Sequence, residues 1–159
     1  EVSFLLQNFD EAVEQCLEQG MERLRKYREL ILVYSPSETP HPPEIRDSVG
    51  RFCRKHGFGF HILPGARGVE PRPGQVFLVV RECDLVSIVK ACYERSLSLG
   101  GDVGILAYND TPMKEIAGNG NTTLSVNFGE MGEKAAKFVA TGQKIAEYLP
   151  TSLLIRHSL

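Results

Sequence analysis

Three short runs, Leu30 to Tyr34, Val76 to Val80 and Val103 to Ala107, contain no charged residue and no apolar–polar alternation. A strand with one face in water alternates, so unbroken apolar runs belong to strands covered on both faces, as in a parallel sheet with a helical layer on each side. Parallel strands need crossovers of a dozen or more residues. The segments between these runs are long enough to supply them and carry helical spacing.

Along the chain, Val2 to Leu6 reads as a short strand. Asp10 then opens a helix with Ala12, Val13, Cys16, Leu17, Met21 and Leu24 on one face. After the run Leu30 to Tyr34, a proline-rich loop from Ser35 to Pro43 delays the next helix until about Pro43, whose missing N–H costs nothing in a first turn. That helix turns Ile45, Val49, Phe52 and Cys53 inward and ends at Gly57; Phe58 to Leu63 follows as a strand. Residues 64–75 hold three glycines and three prolines and read as a surface loop. From Asp84 a helix sets Leu85, Ile88, Val89 and Cys92 on one face and ends at Gly100-Gly101. The alternation predicts an α/β fold with a parallel sheet flanked by helices on both faces. Beyond it, Thr111 to Asn121 reads as a loop and Thr122 to Val126 as a half-exposed strand. Met131 to Val139 reads as a short amphipathic helix and Leu153 to Arg156 as a last strand.

A length of 159 residues fits one domain, and 42% hydrophobic with 24% charged residues is ordinary for a folded soluble chain. A net charge of -2 lacks the basic footprint of a nucleic-acid binder. No apolar run approaches the ~20 residues of a membrane span, and acidic Glu1, Asp10 and Glu11 are wrong for a secretory signal. Cys16, Cys53, Cys83 and Cys92 form no Cys-x-x-Cys pair and are expected to be free thiols in a reducing, cytoplasmic setting. Cys53 with His56 has metal-like spacing without a second pair, so no metal is expected. Neither a Walker loop, a dinucleotide glycine motif nor a nucleophile elbow is present. The acids and the lysine that a phospho-receiver needs are missing after the relevant strands. Neither catalysis nor a cofactor is expected.

What remains is binding. Ligands of open α/β sheets sit at the carboxyl ends of the strands, where Gln7 to Asp10, Ser35 to Pro43, Val80 to Asp84 and Tyr108 to Pro112 are expected to gather. Asn109 offers donors and an acceptor to a hydroxyl-rich molecule. Arg81 is a planar donor fork suited to a carboxylate, phosphate or vicinal diol, or else it pairs with Glu82 or Asp84. Asp110 is expected to satisfy backbone donors in the turn before Pro112. Tyr34 and Tyr108 either stack on a sugar ring or cap the core with the hydroxyl in water. His41, in the rim loop, is within reach of a ligand. His56, His61 and His157 read as ordinary surface or strand histidines.

The run Asp102-Val103-Gly104-Ile105-Leu106-Ala107-Tyr108-Asn109-Asp110-Thr111-Pro112 resembles the effector-binding domain of the lactose/galactose repressor family. The resemblance continues through Thr122 to Phe128, Met131 to Ala136 and Pro150 to Arg156, in the family's order. It covers roughly residues 100–159 by motif and the earlier residues by element order. Asn-Asp-Thr-Pro followed by Lys114-Glu115 looks most like a subgroup of gut bacteria that joins this sensor to a gluconate-repressor-type winged helix; some of its members respond to sugars such as fucose.

The resemblance implies a type I periplasmic-binding-protein fold of two lobes, of which residues 1–159 are the C-terminal lobe of a longer protein. It implies that Asn109 holds sugar hydroxyls, that Arg81 contacts ligand, and that Arg46 reaches into the cleft. The longer rim loop and the Arg81-Glu82 pair depart from the family pattern, and the latter tilts the ligand toward an acidic one. The helix over residues 129–142 is expected to pack on the missing lobe or on a partner chain, giving a homodimer. The function implied is sensing of a sugar or related metabolite by a cytoplasmic transcriptional regulator, with DNA bound by a separate N-terminal domain. A solute-binding protein of sugar transport shares the fold and is the alternative, with a small flavodoxin-like enzyme further behind.

Overall fold

The computed structural model describes residues 3–7, 10–38 and 42–159. Its elements are β1 (Phe4–Gln7), α1 (Asp10–Gln19), α2 (Met21–Leu24), β2 (Glu29–Val33), α3 (Glu44–His56), β3 (Gly59–Leu63), β4 (Gln75–Val79) and α4 (Glu82–Glu94). They continue as β5 (Gly104–Tyr108), α5 (Pro112–Ile116), a 3-10 turn (Ala117–Asn119), β6 (Thr122–Val126), α6 (Phe128–Thr141), β7 (Ala146–Leu149) and β8 (Thr151–Leu154). Six strands form one sheet in the order β3-β2-β4-β5-β6-β8, parallel throughout except for antiparallel β8.

The apolar runs are explained by two cores. Leu30, Leu32, Val76, Leu78, Leu106 and Tyr108 face α1 and α3, packing with Val13, Leu17, Val49 and Phe52. Their alternates Ile31, Val33, Phe77, Val79, Ile105 and Ala107 face α4, packing with Leu85, Ile88 and Cys92. Every position of β2, β4 and β5 from Leu30, Val76 and Gly104 onward is therefore buried. At ~25 cal/mol per Å2 of apolar surface removed from water, such a doubly covered sheet supplies most of the driving force for folding. Two helix ends follow the sequence closely: Pro43 stands immediately before α3, and Gly57, with φ 75°, ends it.

Several expectations are corrected. The helix from Asp10 stops at Gln19, and α2 begins after Gly20, where a Cβ would lie 2.8 Å from Leu153 Cδ2. The α4 helix starts at Glu82 and ends at Glu94, well before Gly100. Residues 111–121 are not a plain loop. Thr111 caps α5 by accepting from the Lys114 amide, and Pro112 fills its first turn. The segment Thr122–Val126 lies between β5 and β8 and is buried at all five positions, not half-exposed. The last strand is Thr151–Leu154, rather than Leu153 to Arg156.

The largest correction concerns the first strand. β1 does not join the main sheet; it pairs in parallel with β7, an element the pattern does not announce, as a separate two-stranded ribbon. The helix read as Met131 to Val139 is the longer α6, capped by the Asn127 side chain on Glu130 N, and none of its residues is buried.

Candidate functional site

Because β2, β3, β4, β5 and β6 run parallel, their carboxyl ends share one rim, and the loops after them gather there. Two hollows open on it. One of about 720 Å3 is lined by Glu38, Pro64 to Arg67, Arg81, Cys83, Asp84 and Ser87, over the ends of β3 and β4. The other, about 490 Å3, is lined by residues that include Asp110, Thr111, Glu115, Ser125, Asn127, Phe128 and Ser152, over β5, β6 and the start of β8.

Arg81 stands in the first hollow, at the N-cap of α4. Its Nε donates to Asp84 Oδ2 at 2.8 Å, and its Nη1 pairs with Glu38. Asp84 is buried and also accepts from Ala66 N at 2.9 Å, so one carboxylate fixes both the guanidinium and the loop after β3. These two carboxylates, Asp84 first, hold the guanidinium firmly in its charged form. Two acids now stand on one arginine, which removes the tilt toward an acidic ligand that Arg81 gives when read alone. The partners are Asp84 and Glu38; Glu82 instead accepts from Thr111 Oγ1 at 3.4 Å.

Asn109 follows β5 directly, two residues past the last β4–β5 pair, Val79 with Ala107. Its φ is +61°, a left-handed conformation that asparagine tolerates better than most residues. The amide donates to Leu124 O at 2.7 Å, while the side-chain Oδ1 is enclosed without a hydrogen bond. Buried acceptors are nearly always paired, so this orphan oxygen marks a place where a donor is missing. Asn109 lines neither of the two hollows.

Lys114, on α5, is almost fully buried, and its Nζ donates to the carbonyls of Tyr108 at 2.8 Å and Asn109 at 2.7 Å. Burial pulls its ammonium below the ordinary lysine range. Asp110 meets a backbone donor in the turn, Thr111 N, as read in the sequence, and takes a further role. Although Thr111 N helps hold its carboxylate ionised, its main partner is Arg156, whose Nη1 and Nη2 donate at 2.7 and 2.9 Å. Thr123 Oγ1 adds a third contact at 3.2 Å.

The remaining candidates divide. Arg46 lies exposed on the first turn of α3, on the rim side of β2, and its guanidinium has no ion-pair partner among the described residues. Tyr34 and Tyr108 are 3% and 1% exposed, with rings inside the core that faces α1 and α3. Neither ring face is free to stack on a sugar, and neither hydroxyl stands in water; that of Tyr108 accepts from Gln7 Nε2 at 3.0 Å. This contact ties the β1–β7 ribbon to the rim although β1 lies outside the main sheet. His41 falls outside the described residues. Cys53 faces the core, whereas His56 turns to Glu18 at 2.8 Å, so the two do not converge. Cys16, Cys53 and Cys92 are buried free thiols and Cys83 is exposed.

Sequence reading offered Asp84 as a partner of Arg81, as found, but gave no role to Lys114 or Phe128. Lys114 has a local signal, a charged residue beside apolar ones in a short helix. Phe128, 47% exposed beside the second hollow, has none.

This architecture has relatives among solved structures. An uncharacterized protein from Actinobacillus succinogenes superposes with a TM-score of 0.76 at 15% identity, over 99% of this chain and 65% of its own. A probable maltose operon transcriptional repressor from Staphylococcus aureus gives 0.75 at 15% identity, over 97% and 61%. A dimeric Lac repressor with a C-terminal deletion gives 0.71 at 15%, over 97% and 63%. The chain thus spans less than two thirds of the length of each, and at such identity the likeness is one of fold. No curated protein matches the sequence. No helix among the described residues is long and apolar enough to cross a membrane. The model of the periplasmic binding protein-like domain matches residues 13–159, nearly the whole chain, and the chain belongs to that family.

Proposed function

We propose that this chain is the C-terminal lobe of the effector-sensing domain of a bacterial transcriptional regulator, binding a sugar or related polyhydroxylated metabolite at the rim formed by β4 and β5. The observation that carries the reading is Asn109, held in a left-handed backbone at the end of a buried parallel strand with its amide oxygen unpaired. Arg81, at the N-cap of α4 and oriented by Asp84 of that helix, and exposed Arg46 supply further donors. Guanidinium forks suit vicinal hydroxyls as well as anions. Both of the named neighbours are repressors, which supports regulation over transport.

In this reading the rest of the protein supplies a second lobe and a DNA-binding segment, and ligand shifts the balance between open and closed arrangements. The protein works in the cytoplasm as a homodimer. The exposed side chains Val86, Tyr93, Met113 and Ile116 on α4 and α5 support a second copy as partner. A two-fold axis at Val86 would set Glu82 of one copy against Lys90 of the other, so the face is self-complementary in charge.

The test is thermal melting of the full-length protein with a panel of free and phosphorylated sugars. A ligand at a hundredfold excess over its Kd stabilises by ~2.7 kcal/mol, a shift of several degrees. One sugar should give it, and Asn109→Ala should abolish it. No response to any sugar, or a response unchanged in Asn109→Ala, overturns the reading. A secretory signal in the intact gene product would turn it toward transport.

A further inference from the structure

The carbonyls of Tyr108 and Asn109 lie where the β5–β6 ladder ends: its last pair is Tyr108 with Leu124. Carbonyls at a strand end need a donor from elsewhere. Here both are met by one ammonium, Lys114 Nζ, at 2.8 and 2.7 Å. The lysine backbone is itself fixed on both sides. Its N–H donates to Thr111 O at 3.0 Å, and its carbonyl accepts from Asn121 N at 2.7 Å. Its stem forms part of the wall of an apolar groove between α4 and α5, with Leu85, Val86, Val89, Met113 and Ala117. Glu82, the neighbour of Arg81, lines the same groove and attracts the ammonium.

Burying an ammonium is costly unless its donors are used. A methionine would fill the same groove without that cost, so packing does not explain a lysine here. What the charge does is hold two successive carbonyls while the residue between them and the turn, Asn109, keeps φ +61°. A non-glycine residue persists there only when its surroundings enforce it.

We infer that Lys114 is a positioning residue of the rim: it fixes Asn109 in the left-handed conformation at the end of β5, and so sets its side chain relative to the α4 N-terminus that carries Arg81. This rests on the reading of Asn109 as a ligand contact. The lysine never touches ligand itself. Removing its charge should therefore impair ligand response more than it impairs the fold.

The experiment is NMR on the wild-type chain and on Lys114→Met, without ligand. In wild type the Lys114 ammonium should exchange slowly and show hydrogen-bond couplings to the Tyr108 and Asn109 carbonyls, and the Asn109 Cα–Hα coupling should report positive φ. In Lys114→Met the Asn109 coupling should move to the negative-φ value, while Ala107 and Leu124 keep their shifts. Should the variant not fold, the wild-type ammonium decides alone: fast exchange without carbonyl couplings overturns the inference, as does an Asn109 that keeps positive φ in the folded variant.

The second readout is the sugar panel, run on both proteins. A sugar that stabilises wild type should bind Lys114→Met at least tenfold more weakly. Equal affinity in the two would show the lysine to be purely structural. If no sugar stabilises wild type, the sensing reading fails, and the NMR result still decides whether Lys114 holds Asn109.

Discussion

At the scale of single residues, most charges of the rim are already paired, Arg81 with Asp84 and Glu38 and Asp110 with Arg156. Asp110 meets Arg156 through both carboxylate oxygens and is about a quarter exposed, so the pair is only partly screened. The guanidinium, ahead of the smaller contributions, holds the Asp110 carboxyl below its ordinary range. A carboxylate with a depressed folded-state pKa adds stability that is complete above its unfolded pKa of ~3.9 and is lost as pH falls through the folded value. Asp110→Asn should therefore lower stability at pH 7 by about 2 kcal/mol, the usual worth of a charge-assisted hydrogen-bond pair. Urea melts should show that gap closing as pH drops toward 3; a gap independent of pH would mean that the ion pair contributes nothing.

The same scale shows what a sequence conceals. The location of Asn109 and Arg81 was legible because the end of a buried strand marks the rim. The tyrosines beside them were not. Both Tyr34 and Tyr108 end apolar runs, but their rings lie on the α1–α3 side of the sheet, and strand parity alone does not say whether that layer extends over the strand ends. Arg81 could be read as a donor fork, yet Glu38, forty-three residues away, could not be read as its partner.

At the scale of elements, the doubly covered sheet was legible because burial on both faces leaves an unbroken apolar run. The α5 helix was overlooked because glycine and asparagine crowd residues 118–121, although Thr111-Pro112 is a plain start signal. β7 offered no signal at all. Three of its four residues are exposed, and its partner β1 lies at the other end of the chain. Packing tolerance also varies by element. On β5 a Cβ at Gly104 would stand 2.7 Å from the Tyr27 ring and 2.9 Å from Val76 Cγ2. Gly104→Ala should cost about 1–3 kcal/mol through overpacking, seen as a lower urea midpoint at an unchanged m value. An unaltered midpoint would mean that Tyr27 can swing away freely.

At the scale of the whole molecule, the α4–α5 face and α6 both expose apolar side chains. The α4–α5 face carries Val86 and Met113 at 51% and 63% exposure, and Phe138 and Val139 stand out on α6. If the former pairs two copies, Val86→Glu places like charges at the axis and should turn a dimer into a monomer by light scattering, with the melting response to sugar preserved. A dimer that survives Val86→Glu would assign the contact elsewhere, with α6 the next surface to test.

The antiparallel β8 has a consequence in time. β6 is flanked on one side by β5 and on the other by residues 151–154, and Ser158 then accepts from Thr122 N and donates to Ile105 O. During synthesis these residues leave the ribosome after β6. Until they emerge, β6 is an open template to which a neighbouring nascent chain can add a strand. Residues 151–158 thus close the open side of β6 and shield it from a neighbouring chain.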